Sequence, residues 1–119
     1  MGRIPAYFFQ NVKCNAPTRR TGAEIIYRKL LEKKVKDVFL YSGGSVMPLV
    51  DQFHKKKINY FINSHEQNCG HAATGYAKSS NEVGVVITTS GPGITNMITP
   101  MLDAQNDGVP LLVLSGQVG

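Results

Sequence analysis

Glu66 is the position in this sequence that most invites a chemical reading. It follows the apolar run Ile58-Asn59-Tyr60-Phe61-Ile62 and opens a stretch rich in small residues, Gly70, Ala72, Ala73 and Gly75. A helix with so little bulk packs close to a neighbouring helix or subunit instead of filling a core. Two readings of the acid fit that setting. It complements the positive end of a helix dipole, worth a few tenths to about 1 kcal/mol, or it is a carboxyl placed for acid–base work. Glycine-bearing loops recur around it: Tyr41-Ser42-Gly43-Gly44, then Thr89-Ser90-Gly91-Pro92-Gly93 with Thr95 and Asn96 behind it, then Ser115-Gly116-Gln117. Gly43-Gly44 suits a tight strand-to-helix turn or a close approach of backbone to a ligand. The Ser90–Gly93 loop resembles an anion cradle but lacks the Gly-Lys-Ser/Thr ending of a nucleoside-triphosphate loop, and no GxGxxG follows a strand. His65 and His71 do not have the i, i+4 spacing of a metal pair, and Cys14 and Cys69 stand far apart without a CxxC. No metal ligand and no disulfide framework is assigned.

These residues need elements to hold them, and the apolar pattern supplies a regular alternation. Thr21-Gly22-Ala23-Glu24 has the form of a capping box, and Ile25, Ile26, Leu30 and Leu31 continue at helical spacing to about Lys34. Val38–Tyr41 reads as a short strand. A helix is expected from Pro48 to about Lys56 with Leu49, Val50 and Phe53 inward, then a strand over Ile58–Ile62 and a helix from Glu66 to about Lys78. Val83–Thr89 is continuous, apolar and β-branched, as in a strand buried on both faces of a parallel sheet. A helix over Ile94–Gln105 and a strand over Pro110–Ser115 complete the pattern. Strict alternation with short loops predicts an α/β fold, a doubly wound parallel sheet with helices on both faces. In such sheets ligands bind at the C-terminal ends of the strands, and every glycine-bearing loop falls there.

Composition sets the outer bounds. The 119 residues suffice for one domain, and 42% apolar with 18% charged side chains is ordinary globular usage. No apolar run approaches the roughly 18–20 residues of a membrane-spanning helix, so no membrane partner is expected. The net charge of +5 is concentrated in residues 1–57, notably Lys33, Lys34, Lys36 and Lys55–Lys57, whereas residues 58–119 set Lys78 against Glu66, Glu82, Asp103 and Asp107. The basic clusters fall near helix ends, where cations stay solvated and complement the dipole. With no stacking-aromatic motif beside them, they do not form a nucleic-acid site. Residues 1–20 contain Arg3, Lys13, Arg19 and Arg20 and no acid. They read as a basic extension, either flexible or the remnant of an organelle transit peptide. Ala6 stands where myristoylation prefers Ser or Thr.

Taken together, His65-Glu66-Gln67, Gly75-Tyr76-Ala77 and Thr89-Ser90-Gly91-Pro92-Gly93-Ile94-Thr95-Asn96 resemble the pyrimidine-binding (PYR) domain of thiamine-diphosphate enzymes. The stretches Thr99–Ala104, Asp107–Pro110 and Ser115–Val118 are most similar to the acetolactate (acetohydroxyacid) synthase catalytic-subunit branch. The likeness covers residues 21–118. It implies that Glu66 hydrogen-bonds the ring nitrogen of the cofactor's aminopyrimidine and favours the imino form that removes the thiazolium C2 proton. Burial of the carboxyl would serve that role. It also implies that Tyr41, Gly43, Gly44, Thr89, Pro92 and Asn96 line the pyrimidine pocket. The implied reaction decarboxylates pyruvate, a 2-oxo acid, and transfers the two-carbon unit to a second 2-oxo acid, as in branched-chain amino acid biosynthesis. A related decarboxylase or lyase, or a non-catalytic PYR module, would share these motifs. The family also uses Mg²⁺ and FAD, bound by segments that residues 21–119 do not contain, so those residues are expected to form an incomplete domain that is inactive alone. The missing half of the site is expected from the diphosphate-binding domain of a second catalytic subunit. The compartment would be cytoplasmic in bacteria and mitochondrial or plastid in eukaryotes. Two departures stand out: Ser42 occupies a position usually held by Pro, and Gly119 follows Gly-Gln-Val where Pro is usual.

Overall fold

A computed structural model describes residues 19–117. The basic extension expected for residues 1–20 thus lies, up to residue 18, outside the described residues. The chain enters through helix α1 (Gly22–Glu32), whose start is closed by the expected box: Thr21 Oγ1 accepts the Glu24 amide at 3.2 Å, and Glu24 accepts the Thr21 amide at 3.1 Å. Strands β1 (Asp37–Leu40), β2 (Asn59–Ile62), β3 (Gly84–Thr88) and β4 (Leu111–Ser115) form one sheet in the order β2-β1-β3-β4, every pair parallel. The α/β, doubly wound expectation is met.

The two faces follow from strand alternation. Val38, Leu40, Val85 and Ile87 point to one side and join Tyr27 and Leu30 of α1 with Leu49 and Phe53. Phe39, Val86, Leu111 and Val113 point to the other, against Cys69 and Ala73 of helix α3 (Glu66–Ser80) and Met97. Register keeps the faces aligned, with Val86 beside Val113 and Ile87 beside Leu114. Strand β3 is buried at every position, which accounts for its unbroken apolar, β-branched sequence. Strand β2 is different. It lies at the sheet edge, and Tyr60, Phe61 and Ile62 are exposed.

Two expected helices are interrupted, and in the second a proline is the cause. Residues 44–55 form a 3₁₀ turn (Gly44–Val46), a single α-turn, α2 (Met47–Val50), and a second 3₁₀ turn (Asp51–Lys55). Pro48, the first residue of the expected helix, sits in the first turn of α2, where its missing N–H is tolerated, so it bounds the helix start and does not account for the change to 3₁₀ geometry at Asp51. The helix expected over Ile94–Gln105 is split into α4 (Pro92–Thr95) and α5 (Ile98–Asn106). Pro100 lacks the donor for the Asn96 carbonyl and its ring would crowd that group. The chain adjusts by a tighter bond from the Met97 amide to the Ile94 carbonyl, 3.1 Å. Asn96 is left at the junction. The small residues of α3 have a use inside the fold: a side chain at Gly70 would collide with the ring of Pro100 on α5.

Candidate functional site

The strand order places a topological switch between β1 and β3. The chain leaves β1 toward the α1 side of the sheet and leaves β3 toward the α3 side. The loops diverge, and the crevice between them at the C-terminal edge is where open α/β sheets take ligands. The sequence brings its unusual loops to that crevice.

On the β1 side, Gly43 lies against Thr89. A Cβ on residue 43 would stand 2.5 Å from Thr89 Cβ and 2.6 Å from its hydroxyl. Gly43 has φ −172°, extended backbone open to any residue, so it is the contact that requires glycine. Gly44 differs, since a Cβ there would meet nothing within 4 Å. Ser45 fastens the two loops together. Its hydroxyl shares a 2.9 Å hydrogen bond with that of Thr89 and accepts the Ser90 amide at 3.2 Å. Strand β4 joins through the Ser115 hydroxyl, which donates to the Thr89 carbonyl at 3.2 Å, and the Gly116 amide, which donates to the Thr88 carbonyl at 3.1 Å.

On the α3 side stands Glu66, the first residue of α3 and only 7% exposed. His65 caps the helix by accepting the Gln67 amide at Nδ1, 3.1 Å, which gives this histidine a structural task. The Asn96 side chain donates through Nδ2 to Glu66 Oε2 at 3.0 Å. Gly93 closes the gap between the two sides. A Cβ there would lie 2.6 Å from Thr89 Cγ2, 2.8 Å from Thr88 Oγ1 and 3.4 Å from Glu66 Oε1. Thr88 is fully buried, and its hydroxyl has no hydrogen-bond partner among the described residues. Below this cluster lies Cys69, one turn along α3. Burial pushes its thiol up, and its sulfur donates to the His65 carbonyl at 3.5 Å.

Of the residues singled out from sequence, Gly43, Thr89, Glu66 and Asn96 converge on this cluster. Tyr41, Gly44 and Pro92 are exposed on the same rim, with the Tyr41 amide tied to the Ile87 carbonyl at 3.2 Å. Sequence reasoning passed over Ser45 and Thr88, and named Gly93 only as part of the Ser90–Gly93 loop. A hydroxyl in an otherwise apolar buried strand was the available signal for Thr88, and the last glycine of Ser90–Gly93 was the signal for Gly93. Nothing in the sequence marks Ser45, whose importance depends on which strands are neighbours. What the arrangement offers is a sheltered carboxyl with one oxygen engaged by an amide, beside a buried hydroxyl and a glycine-lined gap. That donor and acceptor set suits the polar edge of a nitrogen heterocycle.

Comparison with known proteins agrees with the geometry. The chain is 46% identical over 116 residues to the acetolactate synthase large subunit of Corynebacterium glutamicum, covering 97% of this chain and 18% of that protein. It is 46% identical over 99 residues to the mitochondrial acetolactate synthase catalytic subunit of Saccharomyces cerevisiae, covering 82% of this chain and 14% of that one. The large subunit from Lactococcus lactis is 46% identical over 111 residues, covering 92% and 19%. The chain therefore spans less than a fifth of the length of these relatives. Residues 20–119 match the family described as "Thiamine pyrophosphate enzyme, N-terminal TPP binding domain". With that match across nearly the whole chain, and a parallel sheet whose switch-point crevice gathers Glu66, Asn96 and Thr89, this chain belongs to the N-terminal TPP-binding domain family of thiamine pyrophosphate enzymes.

Proposed function

We propose that residues 21–119 supply the aminopyrimidine half of a thiamine diphosphate site in an acetolactate-synthase-like carboligase. The observation that carries this reading is Glu66: a carboxyl buried at the C-terminal edge of the sheet, held at one oxygen by Asn96. The surroundings fit an aminopyrimidine. The carboxyl can bond a ring nitrogen, the Thr88 hydroxyl needs a partner, and Gly93 leaves room beside both. When bound, thiamine diphosphate would supply a nucleophilic carbon for the chemistry of a 2-oxo acid. Glu66 holds the proton at the ring nitrogen. Gly43, Thr89 and Ser45 set the wall opposite, while Tyr41, Gly44 and Pro92 rim the opening.

The substrates under this proposal are pyruvate and a second 2-oxo acid. Mg²⁺, the diphosphate group and FAD would be held by other segments, and the facing half of the site by the diphosphate-binding domain of a second catalytic subunit. Helix α5 presents Ile98, Met101 and Leu102 outward, between 43% and 63% exposed, an apolar stripe in keeping with such a partner. Among the described residues no helix is long and apolar enough to cross a membrane.

The test is Glu66→Gln in the intact protein, with hydrogen–deuterium exchange at C2 of the bound cofactor as readout. The expected loss is on the order of 10²–10⁴-fold, the usual contribution of a positioned acid–base group. An unchanged rate would remove Glu66 from the chemistry.

A further inference from the structure

Resemblance alone would make Asn96 a lining residue of the pyrimidine pocket, but its side-chain amide also donates to Glu66. The amide reaches across 30 residues of sequence to Glu66 Oε2, and among the described residues no other side-chain hydrogen bond is made to that carboxyl. Asn96 is available for this because the helix is broken beneath it: Pro100 forces the α4–α5 junction, and Asn96 closes α4 with φ −66° and ψ −12°. We infer that Asn96 is a positioning residue that fixes which oxygen of Glu66 carries the proton. An amide N–H can only donate, so Oε2 acts as the acceptor. In the neutral acid the proton then resides on Oε1. That oxygen faces the Gly93 gap, 3.4 Å from where a Cβ would stand, beside the buried Thr88 hydroxyl. The geometry thus leaves Oε1, the oxygen that does not accept from Asn96, on the side of the Gly93 gap.

This inference rests on the function proposed above, and a double-mutant cycle separates the two. In the intact protein, Asn96→Ala, Glu66→Gln and the pair are compared for C2 exchange at saturating thiamine diphosphate and for cofactor dissociation constant. Asn96→Ala is expected to slow exchange by about 5- to 150-fold, the range for a buried acceptor left unsatisfied, with little change in the dissociation constant. In the Glu66→Gln background the same change should do almost nothing, because a residue acting through Glu66 has nothing left to position. Asn96→Leu keeps the volume and removes the donor without adding a charge, so it should be about as slow as the alanine variant and guards against a cavity artefact. In cofactor-free protein, the ¹³C carboxyl resonance of Glu66, identified by its loss in Glu66→Gln, should move in both Asn96 variants. Weaker cofactor binding with normal exchange at saturation would make Asn96 a cofactor contact and overturn the inference. Additive losses in the cycle, or an unmoved Glu66 resonance, would overturn it as well. If Glu66→Gln itself leaves exchange unchanged, the proposed function fails first.

Discussion

Gly43 and Gly44 are adjacent, and the structure assigns them opposite reasons for being glycine. At Gly43 an added methyl meets the Cβ and hydroxyl of Thr89 at 2.5 and 2.6 Å. Thr89 cannot swing aside at no cost, because its hydroxyl is bonded to Ser45, and Ser45 also accepts the Ser90 amide. Overpacking of a well-filled contact of this kind costs about 1–3 kcal/mol. At Gly44 the methyl enters open space, and the residue does not adopt positive φ. Replacing such a glycine by alanine stabilises by about 0.4–1 kcal/mol, through the lower entropy of the unfolded chain. The signs therefore differ between neighbours. Since 1.4 kcal/mol is about tenfold in an equilibrium constant, Gly43→Ala should raise local opening by about 5- to 150-fold.

Amide hydrogen exchange reads this directly at two reporters, the Val46 amide bonded to the Gly43 carbonyl and the Ser90 amide bonded to Ser45. Both should exchange faster in Gly43→Ala and no faster in Gly44→Ala. Thiamine diphosphate affinity supplies the second axis. If Gly44 serves a backbone approach to the cofactor, Gly44→Ala should weaken binding by about tenfold or more while the fold is unharmed. Exchange that quickens in Gly44→Ala and not in Gly43→Ala would refute the steric reasoning. Undiminished binding in Gly44→Ala would return that glycine to the role of a simple turn residue.

Two further substitutions probe the floor of the site. Thr88→Val replaces a buried hydroxyl that lacks a partner among the described residues with a methyl of similar shape, and should stabilise the cofactor-free protein by about 1 kcal/mol; a drop in melting temperature would show that the hydroxyl is bonded within the fold. Cys69 should resist iodoacetamide in the native protein at mildly alkaline pH and react readily in urea, since burial raises its pKa and leaves little thiolate. Rapid native alkylation, located by peptide mass spectrometry, would contradict that burial.

The order of strands and helices was legible because apolar spacing reports local structure, and Thr21 with Glu24 marked the first helix start to the residue. One of the two broken helices was legible in principle too: Pro100 stood inside the expected span and excludes the carbonyl four residues earlier. Glu66 was visible as an acid in an unusual setting, but its burial was not, because that depends on α4 folding over it. Ser45 was hidden for a deeper reason. Its partners are 44 and 45 residues away in sequence, and they become neighbours only because β1 lies beside β3. Apolar periodicity tells which residues face inward and says nothing about which strands are adjacent.

Strand β3 explains why so much converges on one crevice. Its alternation sends Val85 and Ile87 toward α1 and Val86 toward α3. The same alternation continues past the end of the strand, with Thr88 on the side of Gly93 and Glu66, and Thr89 reaching Gly43 and Ser45. Two successive threonines thus serve two walls. The wall on the α1 side is locked by hydrogen bonds among Ser45, Thr89 and Ser90. The wall on the α3 side keeps a buried hydroxyl without a partner among the described residues and a carboxyl engaged at one oxygen. Such groups cost about 1–3 kcal/mol each when left unmatched, and a fold selected for stability alone would fill the positions with valine and leucine. Under the proposed function, Glu66 and Thr88 would set the acid–base work on the α3 side of the crevice, with the hydrogen-bonded wall of Ser45, Thr89 and Ser90 as its support.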